Sequence, residues 1–243
     1  MEDDFAGRFL TRRDALRWLG GSAAWFVAGD VLASRSMAAP SGPLCVFRPE
    51  QTEGPYFVDE RLHRSDIRSD PTTGEVKSGV PLSLTIALSR IEKEGCRPLP
   101  AAQVDIWHCD ALGVYSDVKD PAFNTIGRKF LRGYQFSDAG GEAKFLTIYP
   151  GWYAGRTVHI HIKVRGAAGA KGTFEFTSQM YFDDSLSDRI YADLPYATKG
   201  KRTARNHDDR IFRHGGERLM LAPAKSGDGY AATFTVGLQL PPD

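Results

Sequence analysis

The feature that most constrains this chain is the run His159–Val164, in which polar and apolar side chains alternate residue by residue. A β-strand places successive side chains on opposite faces. His159 and His161 would therefore share one face, about 6–7 Å apart along the strand, and Ile160 and Ile162 would share the other. The pattern predicts a strand with one apolar face for the core and a pair of imidazoles on its other face.

The histidine pair favours a metal site, because a neutral imidazole nitrogen is a common metal ligand. A Tyr-Pro-Gly turn at 149–151 ends the preceding segment, since Pro and Gly break a strand. Tyr153 and Arg156 lie in the connection that follows, where functional side chains are often displayed. Phenolate oxygen is a hard anionic donor that suits a ferric ion, so the tyrosine favours iron over zinc.

Two other interpretations of the histidine pair remain open at this point. Either ring could be a structural histidine whose nitrogens are satisfied by hydrogen bonds. A zinc hydrolase would need a third protein ligand and one position left for water. A carboxylate such as Asp105 or Asp138 would then be the candidate for the third ligand.

The first 39 residues differ in kind from the rest of the chain. The pair Arg12-Arg13 is followed by a mostly apolar run at 18–28 and by small residues that end near Ala38 or Ala39. This order is typical of a twin-arginine export signal with a cleavage site. The apolar run is short for a bilayer span, which takes ~20 apolar residues. A retained membrane anchor or an amphipathic helix is the alternative.

The remaining residues, 40–243, are long enough for one domain with a sizeable core. Export would make the protein periplasmic or extracellular, with no stable membrane partner after removal of residues 1–39. The formal net charge of the chain is +1, which gives no indication of a nucleic-acid partner. Three cysteines allow at most one internal disulfide. We expect Cys45 to pair with Cys96, and buried free thiols are the alternative.

Short segments of alternating hydrophobicity, separated by Gly and Pro, predict an all-β fold. We expect an antiparallel β-sandwich with long connecting loops. Residues 40–79 are predicted to be irregular, and residues 183–216 to be a long polar loop with a helical turn. The predicted strands are 82–88, 104–107, 133–136, 143–148, 158–164, 178–182, 218–221 and 231–240.

Two further stretches place aromatic side chains beside turn residues. In TEGPYF at 52–57 the Gly-Pro pair forces a turn, so the Tyr-Phe pair that follows should be buried in a packed arm or contact a ligand. In VDIWHCDALGVYS at 104–116 a predicted strand runs into a turn and then presents Tyr115. Taken alone, Tyr115 would be a core tyrosine with a hydrogen-bonded hydroxyl.

Taken together, these stretches resemble the intradiol ring-cleaving dioxygenases, the family of protocatechuate 3,4-dioxygenase and catechol 1,2-dioxygenase. The similarity spans most of residues 40–243, and the ordered set of segments is more specific than any one of them. The segments are TEGPYF (Thr52–Phe57), VDIWHCDALGVYS (Val104–Ser116), FLRGYQFSDAGGEAKFLTIYPGWYAGR (Phe130–Arg156), HIHIKV (His159–Val164) and TSQMYF (Thr177–Phe182).

The resemblance implies a β-sandwich with one mononuclear non-haem Fe(III) ion as its cofactor. Its ligands would be two tyrosinates and two histidines, which correspond to Tyr115, Tyr153, His159 and His161. Such an enzyme cleaves a catechol-type ring between its two hydroxylated carbons with O2 and gives a muconate-type diacid. A small aromatic diol and O2 would be its partners, and better-known members are often oligomers. Catechol, protocatechuate and hydroxyquinol all remain open as substrates.

The resemblance also implies roles for residues around the metal. Arg156 corresponds to the catalytic arginine of the family and would stabilise negative charge on the substrate or on a released Tyr153 phenolate. Tyr153 would also take a substrate proton. Gln179 corresponds to the active-site glutamine and would orient a histidine ligand or the oxygenated intermediate. The expected substrate-pocket residues are Tyr56, Trp107 and Trp152.

The link between Tyr153 and His159 is shorter than in better-known members, so the rim of the pocket should differ. A non-catalytic β-sandwich binding module is the main alternative to an enzyme. It would require Tyr115 or Tyr153 to point away from the histidines.

Overall fold

The longest strand, β1 (Pro81–Glu92), shows how the sequence pattern produces the fold. Leu82, Leu84 and Ile86 are buried, whereas Ser83 between them is exposed. This period of two is that of a strand with one face on the core. The structure, a computed structural model, describes residues 45–167 and 172–240. The proposed export signal at 1–39 lies outside these residues.

Two sheets form the body of the described residues. The strands are β2 (Gly95–Pro98), β3 (Gln103–Trp107), β4 (Lys119–Asp120), β5 (Phe123–Asn124), β6 (Arg132–Phe136), β7 (Glu142–Ile148), β8 (His159–Ala167), β9 (Thr173–Tyr181), β10 (Ala224–Ser226) and β11 (Gly229–Leu238). The first sheet has the order β10-β11-β1-β2, with β7 also paired to β1. The second has the order β6-β3-β8-β9, and β4 and β5 form a separate hairpin.

Among the residues that the structure describes, helical structure is confined to short segments within and after the long polar stretch. One α-helix, α1 (Asp184–Ile190), is capped by the Asp183 side chain, which accepts hydrogen bonds from the backbone of Ser185 and Leu186. The 3₁₀ helices are Tyr196–Lys199, Asn206–Asp208 and Gly216–Leu219. Within the described ranges, no helix is long and apolar enough to cross a membrane.

The buried faces of the two sheets contribute to one hydrophobic cluster. It includes Leu84 and Ile86 of β1, Ile160 and Ile162 of β8, and Phe234 of β11, each 0–1% exposed. Sheets packed face to face over such a core form a β-sandwich. The prediction of an all-β fold is confirmed.

The predicted antiparallel pairing is found for β1 with β2 and β7, whereas β1 and β11 are parallel neighbours. These two strands run parallel, from the pair Leu82 and Tyr230 to the pair Arg90 and Leu238. Parallel neighbours need a crossover of about a dozen residues or more. The stretch from 182 to 223, which contains the helical segments, lies between β9 and β10 and supplies part of this crossover.

The predicted strand at 218–221 is also wrong. Gly215 has a positive φ of 97° and is followed by the 3₁₀ helix Gly216–Leu219. A Cβ on Gly216 would lie 2.4 Å from the Phe212 ring, so this turn packs closely on its own loop. Only Met220 pairs with a neighbour, in an isolated bridge to Tyr181. The local alternation of apolar residues therefore belongs to a tight turn.

The predicted disulfide is confirmed between Cys45 and Cys96, which are 51 residues apart in sequence. It joins the start of the described chain to β2. Closing a loop of this length lowers the conformational entropy of the unfolded chain. In the loop-entropy model this stabilises the folded state by about 4 kcal/mol. Cys109 is a buried free thiol.

Candidate metal centre

β8 carries the histidine pair and is buried on both faces from His159 to Val164. Ile160 and Ile162 join the core, so His159 and His161 occupy the opposite face. In register, His161 lies between Trp107 of β3 and Gln179 of β9. Both imidazoles therefore lie on β8, a central strand of the second sheet, on the face away from the sandwich core.

Tyr115 is positioned by a turn that leaves β3. The Asp110 side chain accepts hydrogen bonds from the backbone N–H groups of Leu112 and Val114, both at 3.0 Å. Gly113 has a φ of +79°, and a Cβ there would lie 2.1 Å from the Trp152 carbonyl oxygen. Only glycine fits this conformation and this contact. The turn thus fixes the point at which Tyr115 enters the interior.

Tyr153 is positioned by the same turn. The Gly151 N–H donates to the Asp110 carbonyl oxygen at 3.1 Å. A Cβ on Gly151 would lie 2.4 Å from the Ala111 carbonyl oxygen, so the two connections touch backbone to backbone. Both tyrosines are therefore anchored on one structural feature.

Four donor atoms converge around His159. Its Nε2 lies 3.1 Å from His161 Nε2, 3.4 Å from the Tyr115 hydroxyl and 3.3 Å from the Tyr153 hydroxyl. Ligands bound at 2.0–2.1 Å around one tetrahedral ion are about 3.3 Å apart. The three separations match the spacing of atoms that share one metal ion. Two oxygens and two nitrogens of this kind fit a hard, highly charged cation such as Fe(III).

The surroundings keep both histidines neutral. Burial, followed by the charge of Arg156, lowers the pKa of His159 to about 3. Burial, followed by the proximity of His159, lowers the pKa of His161 well below its ordinary value. His159 Nδ1 lies 2.7 Å from the Thr157 carbonyl oxygen, to which it must donate. The lone pair of His159 is therefore on Nε2, which is the form a metal requires.

His161 is oriented by packing. Its ring stacks on Trp107, with centroids 4.8 Å apart and planes inclined by 8°. Its Nδ1 is buried and has no hydrogen-bond partner among the described residues. Gly54 lies on the ring edge, where a Cβ would come within 3.3 Å of His161 Cε1. The Thr52–Phe57 segment, called the arm below, therefore closes over this histidine.

The two phenols are strongly desolvated. Burial raises the pKa of Tyr115 well above its ordinary value. Burial also raises the pKa of Tyr153 to about 12, against the opposing charge of Arg156. Phenolates here need a cation beside them, so loss of these protons would be coupled to metal binding.

Arg156 reaches the edge of the donor cluster and is held by two partners. Its Nε donates to Asp209 Oδ2 at 2.8 Å, and its second terminal nitrogen donates to Gln179 Oε1 at 2.5 Å. The remaining terminal nitrogen lies 3.5 Å from the Tyr153 hydroxyl, at the limit of a hydrogen bond. Burial alone would lower the arginine pKa, but the charges of Tyr153 and Asp209 outweigh it and raise the pKa.

Gln179 is fully buried beside this arginine. Its Oε1 accepts from Arg156 and, at 3.0 Å, from the Tyr181 hydroxyl. Its Nε2 donates to the Thr52 carbonyl oxygen at 2.9 Å. The hydrogen bonds of Gln179 therefore connect the arginine to the arm, and its role toward a histidine ligand or an oxygenated intermediate stays a prediction.

The three expected pocket residues lie in different surroundings. Tyr56 of the arm stacks on Tyr115 with centroids 4.5 Å apart, and its hydroxyl donates to Asp120 at 2.7 Å. Trp107 is 1% exposed between Phe57 and His161, so it supports the histidine from behind. Trp152 belongs to the main core cluster, with the Lys199 ammonium 4.9 Å from its ring.

Sequence reasoning missed Asp209 and Thr157. Asp209 is 1% exposed and binds Arg156 from the loop after the 3₁₀ helix Asn206–Asp208. It lies 53 residues from that arginine, in a stretch predicted only as a polar loop. No motif surrounds it, and its partner is chosen by the tertiary fold.

The two alternative interpretations find no support in this geometry. Across residues 45–167 and 172–240, no group of three His, Cys, Asp or Glu side chains could hold a metal. Asp105 pairs with Arg165 at 3.0 Å, and Asp138 accepts backbone N–H groups of its own turn. The condition set for a binding module, a tyrosine turned away, is not met by Tyr115 or Tyr153.

Comparison with known proteins finds ring-cleaving dioxygenases among the relatives of this chain. The chain is 32% identical over 148 residues to the protocatechuate 3,4-dioxygenase β chain of Burkholderia cepacia, covering 56% of this chain and 62% of that one. It is 28% identical over 176 residues to a catechol 1,2-dioxygenase of Acinetobacter lwoffii, covering 62% of this chain and 56% of that one. The chain thus spans about three fifths of the length of these curated relatives.

A solved structure covers more of the fold. The intradiol ring-cleavage dioxygenase of Tetranychus urticae superposes with a TM-score of 0.67 at 29% identity, covering 80% of this chain and 95% of that one. A family model described as a dioxygenase matches residues 52–211, more than half of the chain. The chain belongs to the intradiol ring-cleavage dioxygenases.

The segment matched to the dioxygenase family contains the whole candidate centre. It begins at the arm, includes the two tyrosines and two histidines, and ends two residues after Asp209. Members of the intradiol family generally depend on non-haem iron. The donor set on β8 and in its flanking loops fits that requirement.

Proposed function

We propose that this chain is a non-haem Fe(III)-dependent intradiol dioxygenase. It would cleave a catechol-type ring between its two hydroxylated carbons with O2 and give a muconate-type diacid. The observation that carries the proposal is the convergence of the Tyr115 and Tyr153 hydroxyls and of His161 Nε2 on His159 Nε2, at 3.1–3.4 Å. Membership of the intradiol family supports the same reaction class.

These four side chains would hold the iron. Fe(III) bound there would supply Lewis-acid chemistry for the reaction of a deprotonated diol with O2. Two anionic oxygens among four protein ligands favour Fe(III) over Fe(II) by matching hard donors to a hard ion.

Tyr153 is the phenol best placed to exchange a proton with an incoming diol. Tyr115 is 1% exposed and is covered by the Tyr56 ring, whereas Tyr153 is half-buried in a loop. The Tyr153 hydroxyl also lies beside the Arg156 guanidinium. We infer that Tyr153 takes one substrate proton and that Arg156 then remains its hydrogen-bond donor.

Arg156 would stabilise negative charge that develops on the substrate. A guanidinium stays protonated throughout, and its fixed fork directs N–H donors at a chosen point. Asp209 and Gln179 hold two of its nitrogens, and its third nitrogen faces Tyr153. The arginine is therefore oriented before substrate arrives.

Tyr56 would form one aromatic wall of the pocket. It stacks on Tyr115 and meets Tyr153 edge to face at 6.2 Å. Its hydroxyl is tied to Asp120 of the β4–β5 hairpin, so the ring is fixed at the rim. An aromatic diol would contact this face and exclude water from the donor cluster.

The proposed partners are a small aromatic diol and O2, and self-association of the chain is part of the proposal because family members often form oligomers. The ring substituents accepted by the pocket are not assigned. Catechol carries no ring substituent besides its two hydroxyl groups, so it is the probe that requires the fewest contacts with the rim of the pocket.

We also propose that residues 1–39 direct export by the twin-arginine route to the periplasm or the extracellular space. The Cys45–Cys96 disulfide supports this location, because disulfides persist in oxidising compartments and are rare in the cytosol.

The reaction is tested by giving iron-loaded protein catechol and ¹⁸O2 and identifying the product by NMR and mass spectrometry. We expect uptake of one O2 per ring and a diacid with one labelled oxygen in each carboxyl group. A product bearing an aldehyde, from cleavage outside the two hydroxylated carbons, would contradict the intradiol assignment. Absence of O2 uptake by iron-replete protein across several catechols would contradict the oxygenase activity itself.

A further inference from the structure

Asp209 is a buried carboxylate that contacts two functional segments at once. It follows the 3₁₀ helix Asn206–Asp208 and is 1% exposed. A buried carboxylate is retained at low free-energy cost only when donors satisfy its oxygens. The identity of those donors indicates what the residue is for.

Four N–H groups converge on the two oxygens of Asp209. Its Oδ2 accepts from Arg156 Nε at 2.8 Å and from the Thr157 backbone N–H at 3.0 Å. Its Oδ1 accepts from the backbone N–H groups of Ile211 at 2.7 Å and Phe212 at 3.4 Å. One oxygen is anchored in its own loop, and the other holds the link that precedes β8.

The contact to Thr157 reaches the candidate metal ligand in one further step. The Thr157 carbonyl oxygen accepts the hydrogen bond from His159 Nδ1 at 2.7 Å. The Thr157 hydroxyl donates to Asn206 Oδ1 at 2.6 Å. Thr157 is thus held at its backbone and at its side chain by one distant loop, and its carbonyl orients His159.

The contact to Arg156 reaches the other side of the centre. The same Oδ2 oxygen fixes the guanidinium whose remaining nitrogens face Gln179 and Tyr153. Arg156 and Thr157 are neighbours in the short link between Tyr153 and His159. Asp209 Oδ2 therefore fixes the position of the Arg156 guanidinium relative to the Thr157 backbone, which in turn orients His159.

We propose that Asp209 is a positioning residue of the metal centre, acting through Arg156 on the Tyr153 side and through the Thr157 carbonyl on His159. This inference rests on the proposed function, because it assigns Asp209 a role toward the iron ligands. Partners that orient a ligating histidine commonly change metal affinity about 10–100-fold when they are removed.

The isosteric variant Asp209→Asn tests this role. An amide has a single acceptor oxygen and an NH2 group that only donates. Whichever way it turns, its NH2 group faces either the Arg156 and Thr157 donors or the Ile211 and Phe212 donors. We expect the variant to bind Fe(III) about 10–100-fold more weakly and to show a shifted visible band when loaded, because the ligand geometry relaxes.

Asp208→Asn is the matched control. Asp208 is the adjacent residue, and its side chain is 47% exposed. It accepts the backbone N–H of Arg205 and binds neither Arg156 nor Thr157. The control removes the same charge from the same loop, so its iron affinity and visible band should stay close to those of the unchanged protein. Equal iron affinity and an equal spectrum in Asp209→Asn and Asp208→Asn would overturn the proposal.

A measurement on the unchanged, iron-free protein separates this inference from the function and from misfolding of a variant. Hydrogen exchange by NMR should show slow exchange of the Thr157 amide and of the His159 Nδ1 proton. Exchange of both as fast as in exposed loops would overturn the positioning role, whatever metal the protein binds. Slow exchange in a protein that binds no iron would instead contradict the proposed function and leave the contacts established.

Discussion

Single residues of the candidate centre are held in two different ways. His159 is oriented by a hydrogen bond to the Thr157 carbonyl, which leaves its Nε2 as a ligand atom. His161 is oriented by stacking on Trp107 and has no hydrogen-bond partner for Nδ1 among the residues described. The orientation of His159 depends on the position of the Thr157 backbone, whereas that of His161 depends on packing by β3 and the arm.

Removing one ligand atom tests the assignment of the donors. Tyr153→Phe deletes one oxygen donor, and His161→Ala deletes one nitrogen donor. Since iron bound by fewer protein ligands dissociates more readily, we expect each variant to retain less iron after dialysis and to turn over at most slowly. Iron content by atomic absorption and O2 uptake are the measurements.

Tyr134→Phe and His63→Ala are matched controls for these two variants. His63 and Tyr134 stack on each other, with ring centroids 5.0 Å apart, away from the donor cluster. Both controls should keep the iron content and activity of the unchanged protein. Full iron content and activity in Tyr153→Phe and His161→Ala would show that the ligands are wrongly assigned.

At the residue scale, the sequence predicted the four side chains that converge in the structure but not the contacts that hold them. The His-x-His alternation places two imidazoles on one face of a strand, and the family resemblance adds the two tyrosines. Asp209 was missed because an aspartate in a polar loop has no local pattern. The hydrogen bond from Gln179 to the Thr52 carbonyl oxygen had no sequence signal either, since it depends on how the arm packs against β9.

The arm is the element that closes the centre. Thr52–Phe57 contains no strand, yet it places Tyr56 on Tyr115, Phe57 on Trp107 and Gly54 on His161. Its Glu53 forms an ion pair with Lys163 of β8. The sequence predicted a packed arm, and the family resemblance placed Tyr56 in the pocket, but no local pattern indicated the contacts with Trp107 and His161.

Gly54→Ala tests the contact between the arm and His161. Gly54 has a φ of +75°, and its added Cβ would lie 3.3 Å from His161 Cε1. The left-handed conformation costs an alanine about 1–2 kcal/mol, and the added methyl group presses on the imidazole edge. We expect lower stability by urea denaturation together with weaker iron retention and a shifted visible band.

Gly74→Ala separates backbone strain from the contact. Gly74 has nearly the same φ, +76°, with nothing within 4 Å of an added Cβ. It should lose comparable stability and keep the iron affinity and spectrum of the unchanged protein. If the two variants lose stability alike and neither alters iron binding, the arm does not support His161.

The sequence pattern predicted β1 and β8 correctly, but it also predicted a strand at 218–221 that the structure does not contain. β1 was predicted because its apolar residues recur with a period of two. The parallel pairing of β1 with β11 depends on a crossover formed by the whole chain, and no local pattern encodes it. The turn at 216–219 was mistaken for a strand because Gly215 acts through its positive φ.

For the whole molecule, the proposed export predicts the redox state of the cysteines, because the Cys45–Cys96 disulfide should form only outside the cytoplasm. Replacing both signal arginines, Arg12→Lys with Arg13→Lys, should retain the chain in the cytoplasm if the twin-arginine proposal is correct. Thiol titration after denaturation should then find three thiols in the retained chain and one, Cys109, in the exported chain. Equal export of both proteins would contradict the proposed route.

We propose that two phenolates and two imidazoles of this chain bind one ferric ion that a catechol can reach. The most direct test is a visible spectrum with an iron assay, recorded before and after adding catechol without oxygen. We expect about one iron per chain and a broad band, from charge transfer between phenolate and Fe(III), that moves to longer wavelength with catechol. A protein that stays colourless after iron loading, or a band that catechol leaves unchanged, would contradict it.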